Sequence, residues 1–262
     1  GCGFDGDVIT TSNGFFNVCS LLEFEPARVV YPRGFPFLER GRNIALSKQH
    51  SGKGTVIGAN AGLWLAEPDV DATTWLNGKI VGTKYLGDNT MVLGPDTWTP
   101  INTQNTSVIR DLIPAYLCIP MGWDAPGGKI QRYGDIWGGY FLQALMKGLD
   151  YRVAVGRPIV EHRRNPHNYL DDMRFEYWGM VLTDWLLQLL RTEFHPKEPT
   201  VLLRVFELAR FIREIAVSAL PTWCPEQIKA FLIWTSENLD TWAKALQSID
   251  EMSHGARTDI DG

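Results

Sequence analysis

The chain carries few cysteines. Cys2, Cys19, Cys118 and Cys224 stand far apart, with no CxxC pair and no Cys/His spacing that would hold zinc. A reduced compartment is the simplest reading of such thiols. Basic clusters are missing too. The 25 Lys and Arg and 30 Asp and Glu spread along the chain to a net charge of -5. That leaves no electrostatic footprint for nucleic acid or an anionic membrane surface. A small anionic ligand stays open, because it needs only a local group of arginines or backbone N–H groups. No apolar run reaches the ~18 to 20 residues of a membrane span. The most apolar, WGMVLTDWLLQLL from Trp178 to Leu190, contains Thr183, Asp184 and Gln188 and predicts a buried helix. GxSxG, Walker A, GxGxxG and HExxH are absent, which removes several common enzyme classes. The opening GCGFDGDVITT has neither an initiator methionine nor a targeting segment and reads as cut at its front.

What is present divides in two. Residues 1 to 168 predict an α/β domain: short apolar runs such as GTVIGANAGLWLA and NTMVL alternate with Gly-, Pro-, Asn- and Thr-rich loops. Within it, IWGGYFLQALMKGLD predicts a helix with Ile136, Trp137, Tyr140, Phe141, Ala144 and Leu145 on one face and Gly148 at its end. YRVAV and PIVEH read as two short strands separated by a GRP turn. Residues 169 to 252 predict a helical region. One apolar stripe runs through Leu202, Val205, Phe206, Ala209, Ile212 and Ala216, and another through Ile228, Phe231, Leu232, Leu239, Trp242 and Leu246. Residues 253 to 262 read as a flexible tail.

Four stretches hold candidate chemistry. In YPRGFPFLER, Arg33 and Arg40 stand seven positions apart in an apolar run held by prolines and a glycine. A guanidinium stays protonated and is a poor nucleophile, so the bare sequence points to diphosphate binding, or to carboxylates held around a Pro-rich turn. In RYGDIWGGYF, Asp135 stands just before the first expected helical residue. There it caps the helix, faces a pocket to bind a sugar hydroxyl or act as a base, or does both. In LWLAEPDVDATTWL, Asp69 and Asp71 form a DxD that suits a divalent cation, or a turn followed by an N-cap. In PIVEHRRNPHNY, His162 follows a strand end beside Arg163 and Arg164, which bind phosphate or face water; spacing alone does not choose.

Taken in order, these blocks resemble the reversibly glycosylated polypeptide family, the plant UDP-arabinopyranose mutases and their microbial relatives. YPRGFPFLER looks like the family's RGYPFSLR, ANAGLWLAEPDVDA is similar to HGLWLNIPDYDA, and RYGDIWGGYF resembles RYDDMWAGW. PIVEH sits where the family has a tryptophan-histidine step, and Asn105 matches an asparagine in MNLAFNREL. The likeness runs from about residue 28 to about 215. It departs from the family where paired aspartates become Gly134 and Asp135, and the family's DxD lies upstream of the arginine stretch, where only Asp5 and Asp7 stand here.

The resemblance implies a GT-A-like (Rossmann-like) mixed sheet, its acceptor-side part, followed by a helical C-terminal region, with the nucleotide at the carboxyl ends of the strands. It implies a UDP-sugar as partner and Mn²⁺ or Mg²⁺ as cofactor, the metal offsetting the leaving diphosphate's charge. Arg33, as the glycosylated arginine, Arg40 and Asp135 become the expected catalytic residues. Trp64, Asn105, Arg132 and Trp137 become substrate-binding residues, and His162 a metal ligand near Asp135. The implied function is transfer or rearrangement of the sugar. The alternatives are transfer to a separate acceptor and a non-catalytic partner subunit. The implied setting is cytoplasmic, or peripheral to the Golgi in a eukaryote, with no membrane span and with homo- or hetero-oligomers open.

Overall fold

A computed structural model describes residues 3–258 of the chain. In chain order its strands are β1 (Gly3–Phe4), β2 (Asp7–Thr11), β3 (Leu22–Glu25), β4 (Leu46–His50), β5 (Thr55–Ala66), β6 (Val81–Tyr85), β7 (Met91–Val92), β8 (Thr106–Val108), β9 (Trp123–Ala125), β10 (Gly128–Ile130) and β11 (Tyr151–His162). Five α-helices accompany them: α1 (Ala72–Leu76), α2 (Gly134–Leu145), α3 (Tyr169–Thr192), α4 (Val201–Phe211) and α5 (Glu226–Thr258). The architecture is mixed α/β with a helical C-terminal region.

The sheet is organised by β5. Along one edge β11 runs parallel to it, from Tyr151 beside Val56 to His162 beside Ala66. Antiparallel β1, β8 and β6 share the other edge, and β3 and β7 extend the sheet outward. The parallel β5–β11 pair needs a long crossover, and both α1 and α2 lie within it. Both strands end on the same side, which brings Glu67 and His162 together: Glu67 N–H donates to the His162 carbonyl at 3.0 Å.

Two local expectations are corrected. YRVAV and PIVEH form one strand, not two; the GRP step is absorbed as a bulge, the register shifting between Gly156 and Val160 while pairing continues. The helix at RYGDIWGGYF begins at Gly134 with Tyr133 as its cap residue, so Asp135 lies inside the first turn rather than before it. There its charge still meets the positive end of the helix. Of the expected tail, residues 253–258 continue α5 and residues 259–262 lie outside the described residues.

The helix α2 is buried on every side, not along a single stripe. Every residue from Gly134 to Leu145 except Asp135 is buried, and Trp137, Tyr140 and Phe141 are among the core's largest side chains. A helix apolar all round belongs at the centre of a domain. Its single carboxylate is its single point of access to solvent.

The long helix α3 lies over this core. Its Gly179 allows the approach, since a Cβ there would stand 2.3 Å from the buried ring of Tyr133. Further along, Thr183 accepts from Trp137 Nε1 at 3.0 Å, and both oxygens of Asp184 take backbone N–H groups, of Phe37 at 2.9 Å and Leu38 at 3.0 Å. No helix among the described residues is long and apolar enough to cross a membrane.

Candidate functional site

A pocket of about 330 Å³ opens where β5, β11 and α2 meet. One wall is Arg33, Asp69, Arg132 and Asp135; the other is the segment from His162 to His167, with Gln104 beside it. The stretch YPRGFPFLER reaches this wall through a tight turn. Gly34 has φ +80 and its Cβ position is filled by Ile136 of α2, so only glycine fits. Tyr140 Oη donates to the Gly34 carbonyl at 2.9 Å and ties the turn to α2.

Arg33 is 7% exposed and lies between two carboxylates. Its Nε and Nη2 donate to the Asp69 oxygens at 3.0 and 3.1 Å, and its Nη1 and Nη2 donate to the Asp135 oxygens at 3.0 and 2.8 Å. The remaining Nη1 hydrogen goes to the backbone carbonyl of Arg132. All five N–H groups of the guanidinium are thus engaged. Burial works against its charge, but the two aspartates outweigh this and hold Arg33 well above its ordinary value. Burial likewise pushes Asp69 up, yet the guanidinium of Arg33, with help from Arg164 and the Asn102 amide, brings it below the usual carboxylate range.

Arg132, at φ +65, occupies the left-handed region that non-glycine residues rarely adopt. That conformation aims its carbonyl at Arg33. Its side chain turns the other way, to Glu176 Oε1 at 2.9 Å and Asp172 Oδ1 at 3.2 Å on α3.

The opposite wall is basic. His162 Nδ1 stands 2.7 Å from the Glu67 carbonyl, which can only accept, so Nδ1 carries a proton and Nε2 is the ring nitrogen turned away from that bond. That Nε2 lies 3.4 Å from the Gln104 amide. Arg164 lays its guanidinium over Trp75, 5.2 Å from the ring centroid, and its backbone N–H donates to Glu67 Oε2 at 2.6 Å. His167 pairs with Asp172 at 2.9 Å. Arg163 extends into solvent beside Glu161. Four arginines and two aspartates line the pocket, so its lining carries more positive than negative charge, although Arg132, Arg163 and Arg164 each also have a carboxylate beside them just outside it.

A divalent cation finds no ready site. No group of three or more His, Cys, Asp or Glu with metal-binding geometry occurs among the described residues. Asp69 and Asp135 share the guanidinium of Arg33, and Asp71 caps α1 and pairs with Arg40 at 2.6 Å. His162 Nε2 and the lone pairs that Arg33 leaves on Asp135 are fewer ligand atoms than Mn²⁺ or Mg²⁺ takes, so these residues do not make up a site for either by themselves.

A model of the reversibly glycosylated polypeptide family matches residues 28–244. This chain belongs to that family. Among curated relatives, UDP-arabinopyranose mutase 3 of Arabidopsis thaliana is 25% identical over 240 residues, covering 90% of this chain and 58% of the relative. UDP-arabinopyranose mutase 2 of the same plant is 28% identical, covering 84% and 56%. UDP-arabinopyranose mutase 1 of Oryza sativa subsp. japonica is 29% identical, covering 76% and 50%. The chain therefore spans about half the length of the curated relatives it matches.

Within this family member, Arg33, Arg132, Asp135 and His162 meet in one pocket. The other four expected site residues do not line it. Arg40 lies over the Phe37 ring at 3.7 Å and against Asp71, behind the Arg33 turn. Trp64 is buried in the sheet core, Trp137 in α2, and Asn105 holds the Leu63 carbonyl at 2.7 Å. Sequence reasoning missed Asp69 as a partner of Arg33, and Asp172 and Glu176 altogether. The last two had one available signal: carboxylates four positions apart share a helix face, and charges on a face that packs against the domain need partners.

Proposed function

We propose that this pocket holds the diphosphate of a UDP-sugar and that the protein acts in rearranging that sugar, as a UDP-arabinopyranose mutase-like enzyme on a GT-A-like fold. The observation that carries this reading is that Asp135, the one accessible group of a buried helix, lines the same pocket as the basic segment from His162 to His167.

The division of labour follows from which groups are free. Arg33 has no N–H to spare, so it serves to orient Asp69 and Asp135. The diphosphate falls to Arg163, whose one carboxylate partner is the exposed Glu161, to Arg164, whose ion pair with Asp172 is long at 3.8 Å, and to the pocket edge of His162. Asp135 uses its remaining lone pairs to bind a sugar hydroxyl or take its proton. Transfer of the sugar onto Arg33, as the family resemblance implies, would require this clamp to open and Asp135 to take the Nη2 proton. A divalent cation would need ligands beyond His162, and no step here depends on one.

Product analysis tests the reading. Incubation with UDP-arabinopyranose should yield the ring-rearranged nucleotide sugar, and Asp135→Asn should abolish it. Release of free sugar or transfer to an added acceptor would favour a transferase instead. A protein inert alone that raises the activity of a relative would favour the partner-subunit reading.

A further inference from the structure

Neither Asp172 nor Glu176 borders the pocket, yet both belong to its construction. Glu176 is 1% exposed and joins three segments distant in sequence. From α3 its Oε1 receives Arg132 Nε at 2.9 Å, and its Oε2 receives the Ala72 N–H at the start of α1 at 2.7 Å. Asp172, one turn earlier, receives Arg132 Nη1 at 3.2 Å. The helix is seated close enough for this: Gln131 N–H donates to the Phe175 carbonyl at 3.1 Å, and Gly179 admits the Tyr133 ring.

From this we infer that Asp172 and Glu176 are positioning residues, which hold Arg132 in its left-handed conformation and so keep its carbonyl on the Arg33 guanidinium. A non-glycine residue in that region costs roughly 1 kcal/mol or more and persists only when its surroundings over-determine it. Here the surroundings are two buried carboxylates gripping the side chain from one direction while Arg33 takes the carbonyl from the other. Without the grip the backbone relaxes, the carbonyl turns away, and the guanidinium loses one of its five anchors. Helix α3 thereby reaches Asp135 through two arginines, without touching the ligand. As a statement about catalysis this rests on the function proposed above.

The test uses ¹⁵N NMR of the Arg33 guanidinium, whose Nη groups rotate slowly while all five hydrogens are engaged. Glu176→Gln keeps an oxygen for Ala72 but weakens the grip on Arg132. It should speed Nη rotation at least ~10-fold with the fold intact, and Asp172→Asn should act in the same direction. Arg132→Gly removes both strain and grip, so the double variant Arg132→Gly with Glu176→Gln should match Arg132→Gly alone. That non-additivity is expected only if Glu176 acts through Arg132. Unchanged Arg33 signals in both carboxylate variants, or fully additive effects in the double variant, would overturn the inference. Turnover of UDP-sugar by Glu176→Gln should fall ~10-fold or more in kcat with KM nearly unchanged, whereas Asp172→Asn also loosens Arg164 and His167 and should raise KM as well. Should the NMR effects hold while the wild type turns over no UDP-sugar, the positioning stands and the functional reading fails.

Discussion

Arg33 and Asp135 meet as a two-point pair, Nη1 to Oδ1 at 3.0 Å and Nη2 to Oδ2 at 2.8 Å, in the lining of a pocket that the basic segment from His162 to His167 also lines. The pair joins the turn of YPRGFPFLER to the first turn of a buried helix, so the position of Asp135 depends on a planar, two-point donor.

Arg33→Lys tests that dependence. Lysine keeps the charge but loses the fork, so two carboxylates would compete for one ammonium. UDP-sugar turnover should fall at least ~100-fold, about the 2.7 kcal/mol of one lost transition-state contact. Arg33→Met should also cost about 3–5 kcal/mol of stability, because it leaves buried carboxylates unpaired. Turnover of a radiolabelled UDP-sugar, recorded beside denaturant unfolding, checks both. A surface arginine would change stability by no more than ~0.5 kcal/mol.

The pH dependence of stability should carry opposite contributions from two carboxylates. Asp69 is held below its ordinary value, so its contribution is present above about pH 3.9 and is lost as pH falls through the lower folded value. Glu176 is pushed up by burial, which Arg33, the Ala72 N–H and Arg132 only partly offset. Its contribution is full below about pH 4.3 and is lost as pH rises through the higher folded value. Thermal melts from pH 2.5 to 7 should therefore show a shallower acid-side decline in Asp69→Asn, and in Glu176→Gln a smaller loss on the rising side.

Gly179→Ala should destabilise the protein by about 1–3 kcal/mol, because the new methyl would stand 2.3 Å from a buried tyrosine ring that has no room to move. Chemical denaturation measures this directly. An unchanged midpoint would mean that α3 is not seated on Tyr133.

Trp137→Phe should separate the core from the site. The indole donates to Thr183 inside the core, so its loss should cost about 1 kcal/mol of stability and leave UDP affinity unchanged. A fall in affinity with unchanged stability would return Trp137 to the substrate-binding role that the family resemblance implies.

Much of this was legible in the sequence, for identifiable reasons. The apolar helices from Tyr169 onward announce themselves by period, and the ordered blocks around Arg33, Asp69 and Asp135 carry the family. What escaped was long-range pairing. The DxD of Asp69 and Asp71 suits a metal or a turn, but the fold gives each aspartate to a different arginine, 36 and 31 positions earlier. Glu176 and Asp172 are ordinary helix residues until α3 is laid against Arg132. The strand bulge after Gly156 hides because glycine and proline signal a turn locally, whereas the neighbouring β5 keeps the chain extended.

The most direct test of the central claim is calorimetric titration of the protein with UDP, wild type against Arg164→Gln. The account predicts saturable binding by the wild type and at least ~10-fold weaker binding by the variant, about 1.4 kcal/mol for one charge-assisted contact. Equal affinity in the two proteins, or no saturable binding by the wild type, would contradict it.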